Sequence, residues 1–222
     1  MSPYLYDHAM RAATHFGNGT QASITFRHHR AVIRAASSDD ASARCDQVEA
    51  LTDDGPCVLA MERLHAVLIP HLDDEPRWAN WRKQAAHEGF NSALAIGAHV
   101  APGMDVSLNL YSPATDPWDA RALVAADGFT QRIARTMSLG MQLSDLTEPL
   151  ERVELTGPEL IGQAVGATMD CNGCTADHAL ELLIGAAANR NVGLEEVAAT
   201  VLLALTGVQA TTLTNGESPE SD

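Results

Sequence analysis

Between residues 160 and 205 the chain repeats a short amphipathic unit three times, with turn residues at 171–175 and 189–193. In the first unit Ile161, Ala164, Val165, Thr168 and Met169 fall at i, i+3, i+4, i+7 and i+8, the spacing of one helix face. In the second, Thr175 stands where an N-cap is needed, and Ala179, Leu182, Leu183 and Ala186 form the stripe. In the third, Leu194, Val197, Ala198, Val201 and Leu205 repeat it before Gly207 stops the helix. Helices this short are marginal alone in water, so they must bury their stripes on one another. The stretch predicts a three-helix bundle.

Charge then narrows what the bundle can touch. The 222 residues carry a net charge of −15, and Lys83 is the sole lysine. Residues 1–150 hold 12 basic against 18 acidic side chains, and residues 151–222 hold 2 against 11. The second part offers no basic footprint for nucleic acid as a free monomer. The N-terminus lacks the positive and apolar regions of a signal peptide, and no apolar run approaches the roughly 18–20 residues of a membrane span. These features predict a cytoplasmic protein without membrane contact, in which Cys45, Cys57, Cys171 and Cys174 stay reduced. Cys171 and Cys174 form a C-x-x-C, but in a helix–helix turn rather than after a strand, and zinc would need two further ligands. Ordinary buried or half-buried thiols are the simpler reading.

The first two-thirds alternate differently. Residues 1–16 predict a helix, ended by Gly17-Asn18-Gly19. Runs at 22–26, 32–36, 66–70, 91–96 and 106–111 are β-prone, with a glycine- and proline-containing loop expected at 97–103. His28 and His29 fall in the first connection, where turn residues are expected. Helices are expected at 40–51, 77–87 and 119–143. Several consecutive strands can form hairpins, which argues for an α+β sheet with helices on one face.

Particular residues carry a family resemblance. ASITF near residue 22, the turn DDGPC (53–57), HAVLIPHLDDEPRW (65–78), VSLNLYS (106–112) and the long helix resemble a GAF domain of the actinobacterial regulatory type. IGQAVG, Met169, GCTADHAL and Asn191 followed by LEEVA are similar to an ANTAR domain, and the order GAF then ANTAR is itself a family arrangement. The expected organisation is an N-terminal helix (1–19), a GAF sensor domain (20–143), a helical linker (144–157), a three-helix ANTAR domain (158–207) and a disordered acidic tail (208–222). The resemblance implies a six-stranded antiparallel sheet flanked by helices, then an all-α bundle. It also implies a signal-responsive transcription antitermination regulator whose bundle binds paired RNA stem-loops. The GAF domain would supply regulation through a small-molecule ligand, a partner or dimerisation. The alternative is a dimeric sensor or protein-interaction module of the same fold that has lost RNA binding.

The alternative arises from missing cations. Where the family carries arginine or lysine, this chain has Pro158, Val165, Cys171, Ile184, Val192 and Gly193, and the stacking phenylalanine is Leu180. Between Leu155 and Gly207 the lone base is Arg190, against Glu159, Asp170, Asp177, Glu181, Glu195 and Glu196. Each lost phosphate contact removes about 0.7 from the salt slope of single-strand binding. The residues left to touch RNA are Gln163, Asn189, Arg190 and Asn191, although the asparagines equally suit helix caps and Gln163 a solvated position.

In the GAF part, Cys57, Trp78 and Trp81 are the candidate pocket residues, with a turn thiol and an aromatic core plug as the simpler readings. The nine histidines are scattered, no nucleophile or nucleotide motif appears, and no catalytic residue, metal or cofactor is assigned. Gly157-Pro158 would start a new helix, because an internal proline costs about 3 kcal/mol and one at the first position costs nothing. The linker helix should therefore end near Leu155. Leu139, Leu143, Leu146, Leu150 and Val153 approximate a/d spacing, which predicts a parallel homodimer joined by these helices and residues 1–16.

Overall fold

The strands obey a period-two alternation whose two sides are both buried. In the computed structural model, which describes residues 3–28, 31–146, 153–190, 192–206 and 210–212, the first unit runs in the order α1 (Pro3–Phe16), β1 (Gln21–His28), β2 (Ala31–Ser37), α2 (Asp40–Thr52) and α3 (Pro56–Arg63). There follow β3 (Ala66–Ile69), a short 3-10 turn (Leu72–Asp74), α4 (Ala79–His87), β4 (Ser92–Ala101), β5 (Met104–Ser112) and α5 (Ala120–Leu146). The five strands pair in the order β2-β1-β5-β4-β3, every neighbour antiparallel. The sheet thus has five strands where the resemblance implies six.

One face presents Ala22, Ile24, Phe26, Leu94, Ile96, Val106, Leu108 and Leu110 to Leu5, Ala9 and Ala12 of α1 and Ala126, Ile133 and Met137 of α5. The other presents Ser23, Thr25, Ser107, Asn109 and Tyr111 on the same strands, all buried. Helices α2, α3 and α4 cover that second face with Cys45, Cys57, Met61 and Trp81. Helices on one face alone were expected. A hydrophobicity pattern sees one side only, because the second is made of polar and small residues.

Gly97 was assigned to a loop, yet β4 runs straight through it and the turn to β5 is confined to residues 102–103. A Cβ at Gly97 would collide with the Ala60 carbonyl, so the glycine permits α3 to lie directly on the strand. His28 ends β1 with its side chain buried, and His29 lies outside the described residues.

The second unit contains α6 (Gly157–Asn172), α7 (Ala176–Arg190) and α8 (Leu194–Thr206), as the three stripes predict. Their buried residues include Leu160, Ala164, Thr168, Cys171 and Asn172 on α6, Ala179, Leu183 and Ala186 on α7, and Val197, Ala198 and Val201 on α8, whereas Ile161, Val165 and Met169 of the expected α6 stripe are half-buried. Pro158 occupies the first turn of α6, and Glu159 accepts the Thr156 N–H at 2.9 Å. A helical linker reaching Leu155 is not what is found. Val153–Leu155 is a strand, β6, paired in parallel with β7 (Ala210–Thr212), so three residues expected in the disordered tail are ordered. Residues 208–209 and 213–222, like Leu150, lie outside the described residues.

The two units meet at β2, the edge of the sheet. The Arg34 N–H donates to Asn172 Oδ1 at 3.3 Å, and Asn172 Nδ2 donates to the Thr168 carbonyl at 3.0 Å. Cys171 Sγ lies 4.0 Å from the Ala35 carbonyl, and Gln47 Nε2 donates to the Gly173 carbonyl at 3.5 Å. Asn172 is 1 % exposed, so removing its amide orphans a buried donor. Asn172→Ala should cost about 1–3 kcal/mol, read as a lower urea midpoint together with faster amide exchange at Arg34.

Candidate functional site

The bundle's outer surface is acidic. Glu159, Asp170, Asp177, Glu181, Glu195 and Glu196 are all exposed, as is Gln163 on α6. Asn189 and Arg190 form the last turn of α7, while Asn191 lies outside the described residues. Gln163 and the Asn189–Arg190 turn are 26 residues apart in sequence, on two different helices. Ile184, at a position where the family has a cation, is 48 % exposed. Cys171 is buried and Cys174 half-buried, and burial raises both thiols above their ordinary range. Neither is set up as a reactive thiolate.

The structure does bring Cys57, Trp78 and Trp81 together, in the core beneath the polar face of the sheet. Trp78 and Trp81 meet edge to face with centroids 6.2 Å apart, and Trp81 Nε1 donates to Tyr111 Oη at 3.3 Å. Cys57 is fully buried, and burial pushes its thiol well above the usual range. Trp78 and Trp81, with Arg77, Thr52 and Asp54, line a surface cleft of about 240 Å³; Cys57 does not.

Behind the tryptophans lies a constellation that the sequence reading missed. Asp46 and Glu49 of α2 are both 0 % exposed. Asp46 Oδ2 accepts from Thr25 Oγ1 at 2.7 Å and Asn109 Nδ2 at 2.9 Å, and Oδ1 accepts from Tyr111 Oη at 2.7 Å. Glu49 Oε2 accepts the Cys57 N–H at 2.7 Å, and Tyr111 Oη lies 3.4 Å from Oε1. Burial raises the pKa of both carboxyls, and the Asp46 charge raises Glu49 further. Asp46 has three side-chain donors to offset its burial, and Glu49, with the Asp46 charge beside it, is the carboxyl pushed well above its ordinary range. The signal was present in the sequence: Ser42, Cys45, Asp46, Glu49 and Ala50 follow the spacing of a buried helix stripe, with two acids inside it. Among the described residues no three His, Cys, Asp or Glu side chains converge as metal ligands, and no helix is long and apolar enough to cross a membrane.

Residues 152–202 match the family described as the ANTAR domain, which places the three helices and their acidic surface within a known type.

Residues 152–202 are an ANTAR domain.

The unit before it has a GAF-like fold. It is similar to the photoproduct state of GAF3 from Slr1393 of Synechocystis sp. PCC6803, at 9% identity and a TM-score of 0.53, covering 65% of this chain and 98% of that one. It is also similar to type II free methionine-R-sulfoxide reductase from Thermoplasma acidophilum, at 13% identity and a TM-score of 0.48, over 61% of this chain and 87% of that one. Escherichia coli SdiA aligns over 90% of this chain and 88% of its own at 11% identity, with a TM-score of 0.46. At those last two scores the likeness adds nothing to the fold. No curated protein matches the chain.

On the opposite side of the GAF-like unit from Asp46, α1 and α5 enclose an open groove of about 580 Å³. His8, Met10, Arg11, Thr14, His15, Phe129 and Arg132 line it. The Arg132 guanidinium lies over the Phe129 ring at 4.4 Å, and the His15 ring sits 5.2 Å from Phe129. Burial lowers the His8 pKa; Asp7 opposes that shift, and Arg11 and Arg132 add to it.

The carboxyl pair makes a pH prediction with a defined sign. Unfolded, Glu49 loses its proton near 4.5; folded, it keeps it well above that value. The Glu49 contribution to stability is therefore fully present below about pH 4.5 and is lost as pH rises towards the folded value. Glu49→Gln, which imitates the protonated acid, should flatten that decline. Urea midpoints of the two proteins should converge near the acid end and separate in favour of the variant at about pH 7–8.

Proposed function

We propose that this chain is a signal-responsive regulator of transcription antitermination that acts through structured RNA. The observation that carries the reading is the ANTAR domain at residues 152–202, attached to a unit with a GAF-like fold. In this reading the GAF-like unit receives the signal, without catalysis, in the cytoplasm. The cleft at Trp78 and Trp81 is its ligand entrance, since the space beneath the sheet is filled by Tyr111, Trp81 and the carboxyl pair. At about 240 Å³ the cleft suits a ligand smaller than a drug-sized molecule.

The reading includes a homodimer. Leu139 is 55 % exposed near the C-terminal end of α5, where a/d spacing continues through Leu143 and Leu146. Tyr4 and Tyr6 are also exposed, at 37 % and 43 %, near the start of α1. A second copy packed on these apolar residues would join two sensor units and two ANTAR domains, so that paired stem-loops meet a paired protein.

The second reading, a sensor or interaction module of the same fold without RNA, is favoured by one observation. Six exposed carboxylates stand on the bundle where phosphate would have to approach.

Two measurements test the proposal. A pool of tandem stem-loop RNAs with randomised loops should bind the full chain at about 50 mM salt and weaken steeply by about 200 mM. No binding at the lower salt would leave the second reading. In sedimentation at micromolar concentration the chain should be a dimer, and Leu139→Glu should shift it towards monomer; a monomeric parent protein would sink the dimer.

A further inference from the structure

We infer that the phosphate-binding face of this protein lies on α1 and α5 of the GAF-like unit rather than on the ANTAR bundle, with the groove at Phe129 receiving a nucleotide of the bound RNA. The inference rests on the RNA reading above and names the surface that would carry it.

Arg121, Arg132 and Arg135 are all exposed on α5. Eleven residues make about three helical turns, so Arg121 and Arg132 lie in register on one face, and Arg135 follows one turn beyond. Among the described residues none of the three has a carboxylate partner, whereas Arg27, Arg44 and Arg77 pair with Asp105, Glu88 and Glu75. Arg11 of α1 adds a fourth guanidinium at the groove, held to Asp7 at 2.7 Å with both side chains largely exposed. Histidines 8 and 15 stand beside them.

Cations alone would suit any acidic partner; the rings narrow the class. RNA is recognised through unpaired bases stacked on aromatic side chains, next to guanidinium groups that hold the backbone. His15, Phe129 and the Arg132 guanidinium that covers the Phe129 ring offer planar groups for stacking, with Arg11 beside them in a groove of about 580 Å³. The bundle has neither element: its cation count between Leu155 and Gly207 is one, and its stacking position is Leu180. A second copy is disfavoured on this face, because two-fold pairing would set arginines against arginines. On α5 the dimer contact proposed above begins at Leu139, beyond the last of these arginines, and on α1 it uses Tyr4 and Tyr6, before the first groove residue, His8.

The test compares four proteins for binding to the tandem stem-loop pool, with thermal unfolding and sedimentation as controls. The triple variant Arg121→Gln/Arg132→Gln/Arg135→Gln should lose about tenfold or more in affinity at about 50 mM salt. Its plot of log affinity against log salt should be shallower by about 2, the share of three phosphate contacts. Arg63→Gln/Lys83→Gln removes two exposed cations from the other face and should bind as the parent does. Arg190→Gln should likewise change little. If the triple variant binds normally while Arg190→Gln fails, the inference is overturned and the RNA reading stands. If the triple variant changes its sedimentation and not its affinity, the face is a copy–copy contact and the inference is overturned. If the parent protein binds no RNA at the lower salt, reading and inference fall together.

Discussion

How the two halves of this chain relate depends on one side chain amide, that of Asn172. An edge strand presents unpaired backbone groups, and proteins normally blunt such edges. Here the blunting of β2 is done by the C-terminal end of α6, where Asn172 accepts from Arg34 and Cys171 approaches the Ala35 carbonyl. Gly173, in the left-handed region at φ 58, ends the helix so that its last side chains face the strand. The opposite edge, β3, needs no such cover because it is four residues long. The C-x-x-C is thereby explained as packing: Cys171 fills the joint between sheet and bundle, and Cys174 follows on the far side of the turn.

The sheet's second face sets where a ligand could enter the GAF-like unit. A buried carboxyl group needs hydrogen bonds to offset its desolvation, and Asp46 has them from three different strand side chains. Those donors, Thr25, Asn109 and Tyr111, are the reason the strands carry polar residues where an apolar core would be expected. The network consumes the volume beneath the sheet. A ligand arriving there would have to displace satisfied polar groups, whereas the cleft at Trp78 and Trp81 is already open.

The bundle was legible because each helix repeats a 3.6-residue stripe between recognisable stops, and Thr156, Pro158 and Gly173 mark the ends of α6 by local chemistry alone. Strands β1 and β2 were legible for a similar reason. What escaped depends on partners distant in sequence. Three-residue strands such as β6 and β7 have almost no pattern of their own, and their pairing spans more than fifty residues. Gly97 looks like loop punctuation until α3 is seen lying on it. The acids of α2 share a helix stripe with Ser42, Cys45 and Ala50, but nothing near them in sequence announces Thr25 or Asn109 as their partners. Of the site candidates, Cys57, Trp78 and Trp81 do come together, while Gln163 remains a lone exposed amide and the side chains of Asn189 and Arg190 carry no described geometry.

A net charge of −15 opposes the approach of phosphate. Net charge, however, acts only as far as salt allows. At physiological ionic strength the Debye length is about 8 Å, while the eleven residues from Arg121 to Arg132 span about 16 Å of helix. An incoming strand at that face senses mainly the nearest guanidiniums, and the exposed carboxylates of the bundle act only on what approaches the bundle. Lowering the salt strengthens the local attraction but also extends the repulsion from the acidic remainder. The two effects oppose, so the apparent salt slope of such a protein should be less steep than its number of phosphate contacts implies. In the proposed reading, segregated charge would let the chain hold RNA on one unit while its bundle, with Arg190 as its lone base, repels phosphate.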